Sequence, residues 1–263
     1  MKLKTRLETN QANKRGHNRM NSLLKKILLS LSSPLRHSIR YELRRILDER
    51  ITPTTQDIGV ALQRRATEST ALYVEQHMRG IDSTSTDLEP LSKAMSEARL
   101  ENEALICEFG VHSGRTINHI ASLTDLTVFG FDSFEGLPER WRDGFGKAHF
   151  KVNEFPEVRK NVRLIKGWFT ETLPDFVKKH DSPVGFLHID CDLYSSTKSV
   201  LDILFDRIKP GCVIVFDEYF NYSGWEEGEY KAFHEFLERS GLKYEYIGYN
   251  RRHEQVAVKI ISG

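Results

Sequence analysis

"VGFLHIDCDLYSSTKSVLDILFDRIKPGCVIVFDEY", residues 184–219, places two short apolar runs on either side of a segment with helical spacing. The runs 184–190 and 212–218 have the length and composition of buried strands. Residues 196–208 between them have the spacing of a helix, and Pro210-Gly211 should end that helix. A strand, a helix and a second strand in this order predict neighbouring parallel strands of an α/β sheet.

The same alternation extends through most of the chain. Further apolar runs occupy 104–110, 126–132, 161–167, 244–250 and 254–260, and helical patterns occupy 66–79, 88–99, 113–123, 172–180 and 226–240. We therefore predict an α/β fold with a doubly wound, mostly parallel seven-stranded sheet, an antiparallel C-terminal hairpin and a helical N-terminal segment. Ligands bind such sheets at the carboxyl ends of the strands.

The N-terminal part of the chain differs from the rest in charge. The whole chain has a net charge of +1, whereas residues 1–50 hold 13 Lys/Arg against 4 Asp/Glu. Apolar residues recur at helical spacing on both sides of Pro34, which predicts a basic, partly disordered helical arm over 1–65 and a body over 66–263. This arm is a candidate for contact with anionic lipid or a partner, or for a cap on the body or on a second subunit of a homo-oligomer.

Cysteine usage and hydropathy indicate in which cellular compartment the protein is expected. The three cysteines, Cys107, Cys191 and Cys212, form no CxxC pair or disulfide pattern. No stretch approaches the roughly 20 apolar residues of a membrane span, and no cleavable signal peptide is evident. We expect a reduced, cytoplasmic protein whose contact with a membrane, if any, is peripheral.

Three carboxylates follow the two strands of the opening stretch. Asp190 ends the first strand, and Asp217 with Glu218 ends the second, so all three should reach one edge of the sheet. Oxygen ligands without a Cys/His cluster suit a hard cation such as Mg²⁺, although inert strands also end in polar residues. Asp192 is interpreted as a turn residue or as a residue that supports the cation ligands, and His188, inside the strand, as a packed histidine.

A glycine-bearing turn, "EFGVHSGRT" (108–116), joins the first strand of the body to a helix. Gly110 and Gly114 would let a ligand approach the backbone closely at a helix N-terminus, and a ligand-free tight turn is the alternative. Asp132 ends the next strand about 20 residues later, where a carboxylate can accept hydrogen bonds from a ribose diol. A nucleoside-containing cofactor is therefore expected.

Five ordered motifs carry a family resemblance: "EFGVHSGRT", "GFDSFEGLPE", "VRLIKGWFTETLP", "HIDCDLYSSTKSVL" and "KPGCVIVFDEY". Together they resemble the macrocin O-methyltransferase (TylF) family of class I S-adenosylmethionine-dependent methyltransferases, which have a Rossmann-like fold. The resemblance covers roughly residues 100–260. It implies an S-adenosylmethionine-dependent O-methyltransferase that uses Mg²⁺ or another divalent cation to methylate a hydroxyl of a sugar, glycolipid or polyketide-type metabolite.

The resemblance also implies roles for individual residues. The cation ligands would be Asp190, Asp217 and Glu218, with Asp190 also the general base; Glu218 is a departure, because related enzymes often have Asp or Asn there. The cofactor would contact residues on its methionine side (Glu108, Gly110, Ser113, Gly114), its ribose side (Asp132, Ser133) and its adenine side (Gly167, Trp168), together with Asp190.

The insertion 133–160 is long for a loop within a compact domain. Its aromatic residues Trp141, Phe145, Phe150 and Phe155 suggest a lid that covers the acceptor, and an inert packed excursion is the alternative.

Two other functions remain open. An NAD-linked or nucleotide-sugar oxidoreductase is disfavoured, because the chain lacks G-x-G-x-x-G and Tyr-x-x-x-Lys. A non-catalytic methyltransferase-like interaction protein is disfavoured by the strand-end acids. We expect no nucleic-acid partner, because the positive charge lies in the arm.

Overall fold

A computed structural model describes Glu42, residues 56–100 and residues 104–263. Most of the predicted basic arm therefore lies outside the described residues, and its helices and its contacts stay predictions. The boundary at 65/66 also stays a prediction, although the first described long helix, α1 (Ile58–His77), runs across it. In the described part of the chain, no helix is both long enough and apolar enough to cross a bilayer.

Helices and strands alternate along the chain as predicted. The helices after α1 are α2 (Glu89–Glu97), α3 (Arg115–Ser122), α4 (Phe169–Lys179), α5 (Tyr194–Ile203) and α6 (Glu229–Ser240), with a 3₁₀ turn at Trp225–Glu227. The strands are β1 (Ser83–Thr84), β2 (Leu105–Phe109), β3 (Val128–Asp132), β4 (Val162–Lys166), β5 (Val184–Ile189), β6 (Ile208–Phe216), β7 (Lys243–Asn250) and β8 (Val256–Ile261).

The strands form one mixed sheet in the order β1-β7-β8-β6-β5-β2-β3-β4. Strand β8 runs antiparallel to β6 and β7, whereas the pairs from β6 through β5, β2 and β3 to β4 are parallel. The predicted doubly wound sheet with an antiparallel C-terminal hairpin is confirmed. The sequence analysis missed β1, whose two residues pair with the end of β7, because two residues carry no periodicity.

The sequence also misplaced the end of one helix. Helix α5 ends at Ile203, and the chain enters β6 at Ile208, so Pro210-Gly211 lies within the strand. Proline cannot donate to a ladder, and Gly211 has a φ of +100°, which requires an irregular backbone. The pairing of β5 with β6 shifts register at this place, since Val184 pairs with Ile208 but Phe186 pairs with Val213.

Helices cover both faces of the sheet because alternate strand residues point to opposite sides. One core contains Leu173 and Phe176 of α4, Val200 of α5 and Phe233 of α6, among others. The second contains Leu91 of α2 and Ile117 of α3. The central strands are buried on both faces, which explains their near-continuous apolar runs.

Backbone hydrogen bonds align the carboxyl ends of the parallel strands. Gly110 N–H donates to Phe131 O at 2.9 Å, and Asp190 N–H donates to Phe109 O at 2.9 Å. Asp217 N–H likewise donates to the last residue of β5 at 2.9 Å, and Gly167 N–H donates to Asp132 O at 3.0 Å. The residues that follow β2, β3, β4, β5 and β6 are therefore held at one edge of the sheet.

Candidate active site

A cavity of about 550 Å³ opens at this edge. Its floor is formed by the strand ends, and its other walls by the start of α5 and by the segment between β3 and β4. Seven of the residues that the sequence assigned to cofactor, cation or base line it: Gly110, Asp132, Ser133, Gly167, Trp168, Asp190 and Glu218.

The turn after β2 is built so closely against β5 that only glycine fits. Gly110 has a φ of +94°, and a Cβ placed on it would lie 1.7 Å from the backbone oxygen of Asp190. The turn continues through His112, whose φ of +44° is unusual for a residue with a side chain. Helix α3 starts directly beyond it, so its free N–H groups face this end of the sheet.

Both carboxylate oxygens of Asp132 accept hydrogen bonds from backbone N–H groups. One carboxylate oxygen accepts hydrogen bonds from Val111 and His112, both at 2.8 Å, and the other accepts one from Phe134 at 2.6 Å. The carboxylate therefore joins the turn after β2 to the turn after β3. Each carboxylate oxygen can accept more than one hydrogen bond, so contact with a ribose stays a prediction.

The predicted adenine side forms another wall. Gly167, Trp168, Phe169 and Thr170 line the cavity where β4 leads into α4. Ser133 is buried and accepts a hydrogen bond from Glu135 N–H at 3.1 Å. Aromatic rings beside backbone amides can hold a flat, polar ring system such as a purine.

Three carboxylates meet at the floor. Asp190, Asp217 and Glu218 each offer an oxygen, and these atoms lie within 4.8 Å of one another. Asp217 does not line the cavity itself but stands behind the other two. Burial, and then the charge of Asp217, raise the pKa of both Asp190 and Glu218 well above the ordinary range. Such crowding of acids in a buried place is costly unless a positive charge is added.

The donor set fits a divalent cation. It consists of carboxylate oxygens alone, as hard cations prefer, and Oε2 of Glu218 is buried without a hydrogen-bond partner. A buried carboxylate oxygen without a protein partner is typical of a site that binds an ion or a water. Binding of Mg²⁺ at these residues stays a prediction.

Three predicted cofactor residues do not line the cavity. Ser113 and Gly114 lie on the turn behind it, and Glu108 points into the sheet, where its side chain is fully buried. Glu108 accepts hydrogen bonds from the Thr116 hydroxyl and from Nδ1 of His188, the latter at 3.0 Å. Burial raises its pKa. Contact of these three residues with a cofactor stays a prediction.

The site contains two further acids, of which the sequence analysis named only Asp192. This residue adopts a φ of +62° and lines the cavity almost fully buried, and burial together with the charge of Asp217 raises its pKa to about 7. Glu229, the first residue of α6, is fully buried and accepts a hydrogen bond from Glu218 N–H at 3.0 Å. Acidic residues are common in the first turn of a helix, so the sequence around Glu229 gave no indication that this residue belongs to the site.

The segment 133–161 has no helix or strand, and every residue of it is described. Trp141, Phe145 and Phe150 line the cavity, as predicted for a lid. Arg142 lies over the Trp141 ring, 3.8 Å from its centroid, and its Nη1 donates to both carboxylate oxygens of Glu254 at 3.0 and 3.1 Å. Glu254 belongs to the β7–β8 connection, so this ion pair attaches the segment to that connection.

Phe155 differs from the other aromatic residues of this segment. It does not line the cavity, is 59% exposed, and packs edge-to-face on Phe134 with ring centroids 4.9 Å apart. In the structure it therefore packs on the outside of the segment.

Comparison with known families supports the interpretation of this site. Residues 107–219 match a family model described as a methyltransferase domain. The matched region is less than half of the chain. The matched range covers the glycine turn and the three acids, and the class I methyltransferase resemblance predicted from the five motifs is confirmed. This match favours the methyltransferase over the oxidoreductase alternative.

Two relatives of the methyltransferase domain act on natural products, according to their names. The demethyldecarbamoylnovobiocin O-methyltransferase of Streptomyces niveus is 30% identical over 128 residues, which are 40% of this chain and 46% of that protein. The 8-demethyl-8-(2,3-dimethoxy-alpha-L-rhamnosyl)-tetracenomycin-C 4'-O-methyltransferase of Streptomyces olivaceus is 34% identical over 118 residues, 36% and 43% of the two chains. The chain thus spans less than half the length of these two relatives.

One solved structure extends the similarity of fold. The calicheamicin methyltransferase CalS11 superimposes with a TM-score of 0.53 over 87% of this chain and 94% of that chain, at 20% identity. The fold of the methyltransferase domain and of its flanking elements is therefore shared.

Proposed function

We propose that this chain is an S-adenosylmethionine-dependent O-methyltransferase that binds a divalent cation, Mg²⁺ in the simplest case, through Asp190, Asp217 and Glu218. The observation that carries the proposal is that the glycine turn at Gly110 lines the same cavity as Asp190 and Glu218, with Asp217 directly beside them. A methyl donor and a cation-bound hydroxyl would thus be held side by side.

We further propose that the acceptor is a hydroxyl of a sugar-bearing or polyketide-type metabolite. Both relatives named above are O-methyltransferases of natural products, and the name of one specifies a rhamnosyl group. The acceptor side of the cavity suits such a molecule, since aromatic rings from the lid face the hydroxyls of Ser195, Ser196 and Ser199 on α5. Sugars bind proteins both by packing against aromatic rings and by hydrogen bonds with hydroxyl groups.

The residues of the chain have separable tasks in this reaction. When bound, S-adenosylmethionine supplies an electrophilic methyl group, and the cation supplies positive charge that stabilises a hydroxyl as it loses its proton. Asp190 is the proposed base, because its carboxylate lines the cavity beside the proposed cation site, within reach of a bound hydroxyl. Trp141, Phe145 and Phe150 exclude water from the acceptor.

Methyl transfer from radiolabelled S-adenosylmethionine to a panel of sugar-bearing and polyketide acceptors tests the proposal. We expect transfer with Mg²⁺, loss of transfer in EDTA, and recovery when Mg²⁺ is restored. Calorimetry should show binding of S-adenosylmethionine and none of NAD. Full activity in EDTA would contradict the cation, and binding of NAD instead would contradict the methyltransferase activity itself.

A further inference from the structure

A buried polar pair crosses the sheet beneath the three acids. Glu108 on β2 and His188 on β5 are register partners, and both side chains are fully buried. They occupy the face of the sheet that packs against α2 and α3, where their strand neighbours Ile106 and Phe186 are apolar. A carboxylate and an imidazole in such a place lose their hydration, so simple packing does not explain them.

The pair connects a helix behind the cofactor turn to the acids of the floor. Thr116 on α3 donates to Oε1 of Glu108, and Nδ1 of His188 lies 3.0 Å from the same oxygen. On the other side of the ring, Nε2 of His188 lies 3.4 Å from Oδ1 of Asp217, which is within ion-pair distance but outside hydrogen-bond geometry. Both ring nitrogens therefore face carboxylates, one from each neighbouring element.

Asp217 is held from a second direction as well. The side-chain N–H of Gln255 donates to Oδ1 of Asp217 at 2.5 Å. The oxygen is thus placed between an amide and an imidazole, while its carboxylate stays within 4.8 Å of the donor oxygens of Asp190 and Glu218. Partners of this kind fix the orientation of a ligand before a cation arrives.

We propose that His188 is a positioning residue of the cation site, which holds the Asp217 carboxylate towards Asp190 and Glu218 and is itself held by Glu108. This inference rests on the proposed function, because it concerns the same cation. It assigns a role to Glu108 and His188, two buried residues that do not line the cavity. The alternative is a second ion between Glu108, His188 and Asp190, whose donor atoms also lie within 4.8 Å of one another.

Two substitutions of His188 separate its two contacts. His188→Asn retains a donor near the position of Nδ1 and loses the contact with Asp217, whereas His188→Gln retains a donor near the position of Nε2. Binding of Mn²⁺, a spectroscopic substitute for Mg²⁺, is measured by electron paramagnetic resonance in the presence of S-adenosylmethionine. We expect His188→Asn to weaken Mn²⁺ binding about 10- to 100-fold and His188→Gln to weaken it less.

The controls distinguish positioning from general loss of structure. His119→Asn removes a histidine contact remote from the cavity, the 2.8 Å hydrogen bond with Ser92, and should leave Mn²⁺ binding unchanged. Calorimetric affinity for S-adenosylmethionine should stay within about twofold in both His188 variants, because the glycine turn is untouched. If His188→Asn does not fold, Glu108→Gln weakens the same link and should lower Mn²⁺ affinity several-fold.

Three results would overturn the inference. Equal Mn²⁺ affinity in wild type and all variants would make His188 an ordinary core residue while leaving the cation site intact. Two Mn²⁺ ions per wild-type chain and one in His188→Asn would make His188 a ligand instead. Absence of Mn²⁺ binding in the wild type, with normal cofactor binding, would remove the proposed cation site and this inference with it.

Discussion

The floor of the cavity and its lid are fixed in different ways. At the floor, backbone hydrogen bonds between adjacent strands hold Gly110, Gly167, Asp190 and Asp217 at distances of 2.9–3.0 Å from their partners. In the proposed lid, residues 133–160, backbone hydrogen bonds such as that from Leu137 N–H to His149 O at 2.9 Å join the segment to itself. Its contacts with the rest of the domain run mainly through side chains, among them the ion pair of Arg142 with Glu254. The floor belongs to the sheet, whereas the lid is attached to it by side chains.

This difference suggests how the two tasks of the site are divided. Most groups assigned to the cofactor and the cation stand at the ends of strands, where the backbone is hydrogen-bonded to a neighbouring strand. Groups assigned to the acceptor stand on a segment without helix or strand, where a side chain can change without moving the sheet. We therefore expect floor substitutions to affect folding or chemistry, and lid substitutions to affect the acceptor.

The largest effect is expected for Gly110→Ala, compared with Gly144→Ala in the lid. Both glycines have positive φ, +94° and +85°, but a Cβ on Gly110 meets the Asp190 backbone at 1.7 Å, whereas nothing lies within 4 Å of one on Gly144. Gly110→Ala should cost roughly 4 kcal/mol or more of unfolding free energy, and Gly144→Ala about 1 kcal/mol. Denaturant unfolding measures both. Similar losses in the two variants would show that strain at φ, and not the closeness of β5, requires glycine at 110.

Asp217→Ala should separate chemistry from cofactor binding at the floor. Loss of one proposed cation ligand should lower kcat/KM about 100-fold or more and remove its dependence on Mg²⁺, while affinity for S-adenosylmethionine persists. Asp206→Ala is the control, because this exposed aspartate precedes β6 at the opposite edge of the sheet. Kinetics in Mg²⁺ and in EDTA give the answer. An Asp217→Ala enzyme with wild-type turnover would refute the role of this acid.

In the lid, Arg142→Ala should act on the acceptor alone. The ion pair of Arg142 with Glu254 is partly shielded from solvent, with side chains 30% and 21% exposed. Its loss should cost about 1 kcal/mol of acceptor-binding free energy, which raises acceptor KM roughly fivefold. Arg140→Ala, two residues away and 71% exposed, should change little. Hydrogen exchange of the lid should increase only in the first variant. A fall in kcat with unchanged KM would instead place Arg142 in the chemical step.

Much of the floor could be predicted from the sequence because it depends on topology. In a sheet whose parallel strands alternate with helices, the acids after β5 and β6 must meet at one edge. The positions of Asp190, Asp217 and Glu218 directly after apolar runs were therefore sufficient to predict that these three acids lie together. The turn at Gly110 followed from its glycines. These features need only local patterns and the rule that parallel strands end together.

Side-chain pairing across strands could not be predicted in the same way. Glu108 was assigned to the cofactor on the family resemblance, and its side chain points towards α3 and His188. The pairing of β2 with β5 sets residues 80 positions apart side by side, and no local pattern reports this register. His188 was interpreted as a packed histidine for the same reason. Its two acidic neighbours belong to other parts of the chain, since Glu108 lies on β2 and Asp217 directly follows β6.

Phe155 provides the smallest and most specific test of the lid. Sequence reasoning grouped it with Trp141, Phe145 and Phe150 because composition cannot show which side of a loop a ring faces. The structure places Phe150 on the cavity and Phe155 outside it, against Phe134. Phe155→Ala should therefore leave acceptor kcat/KM within about twofold and stability within about 0.5 kcal/mol.

Phe150→Ala is the matched substitution on the inner side. It removes part of the aromatic wall that faces the acceptor and should lower kcat/KM about threefold, through KM, since such a ring contact contributes roughly 1 kcal/mol. Steady-state kinetics with the best acceptor compares the two variants. If Phe155→Ala has the larger effect, the lid must turn its outer face inward when substrate binds. Phe155 would then have to leave its present edge-to-face contact with Phe134 outside the cavity.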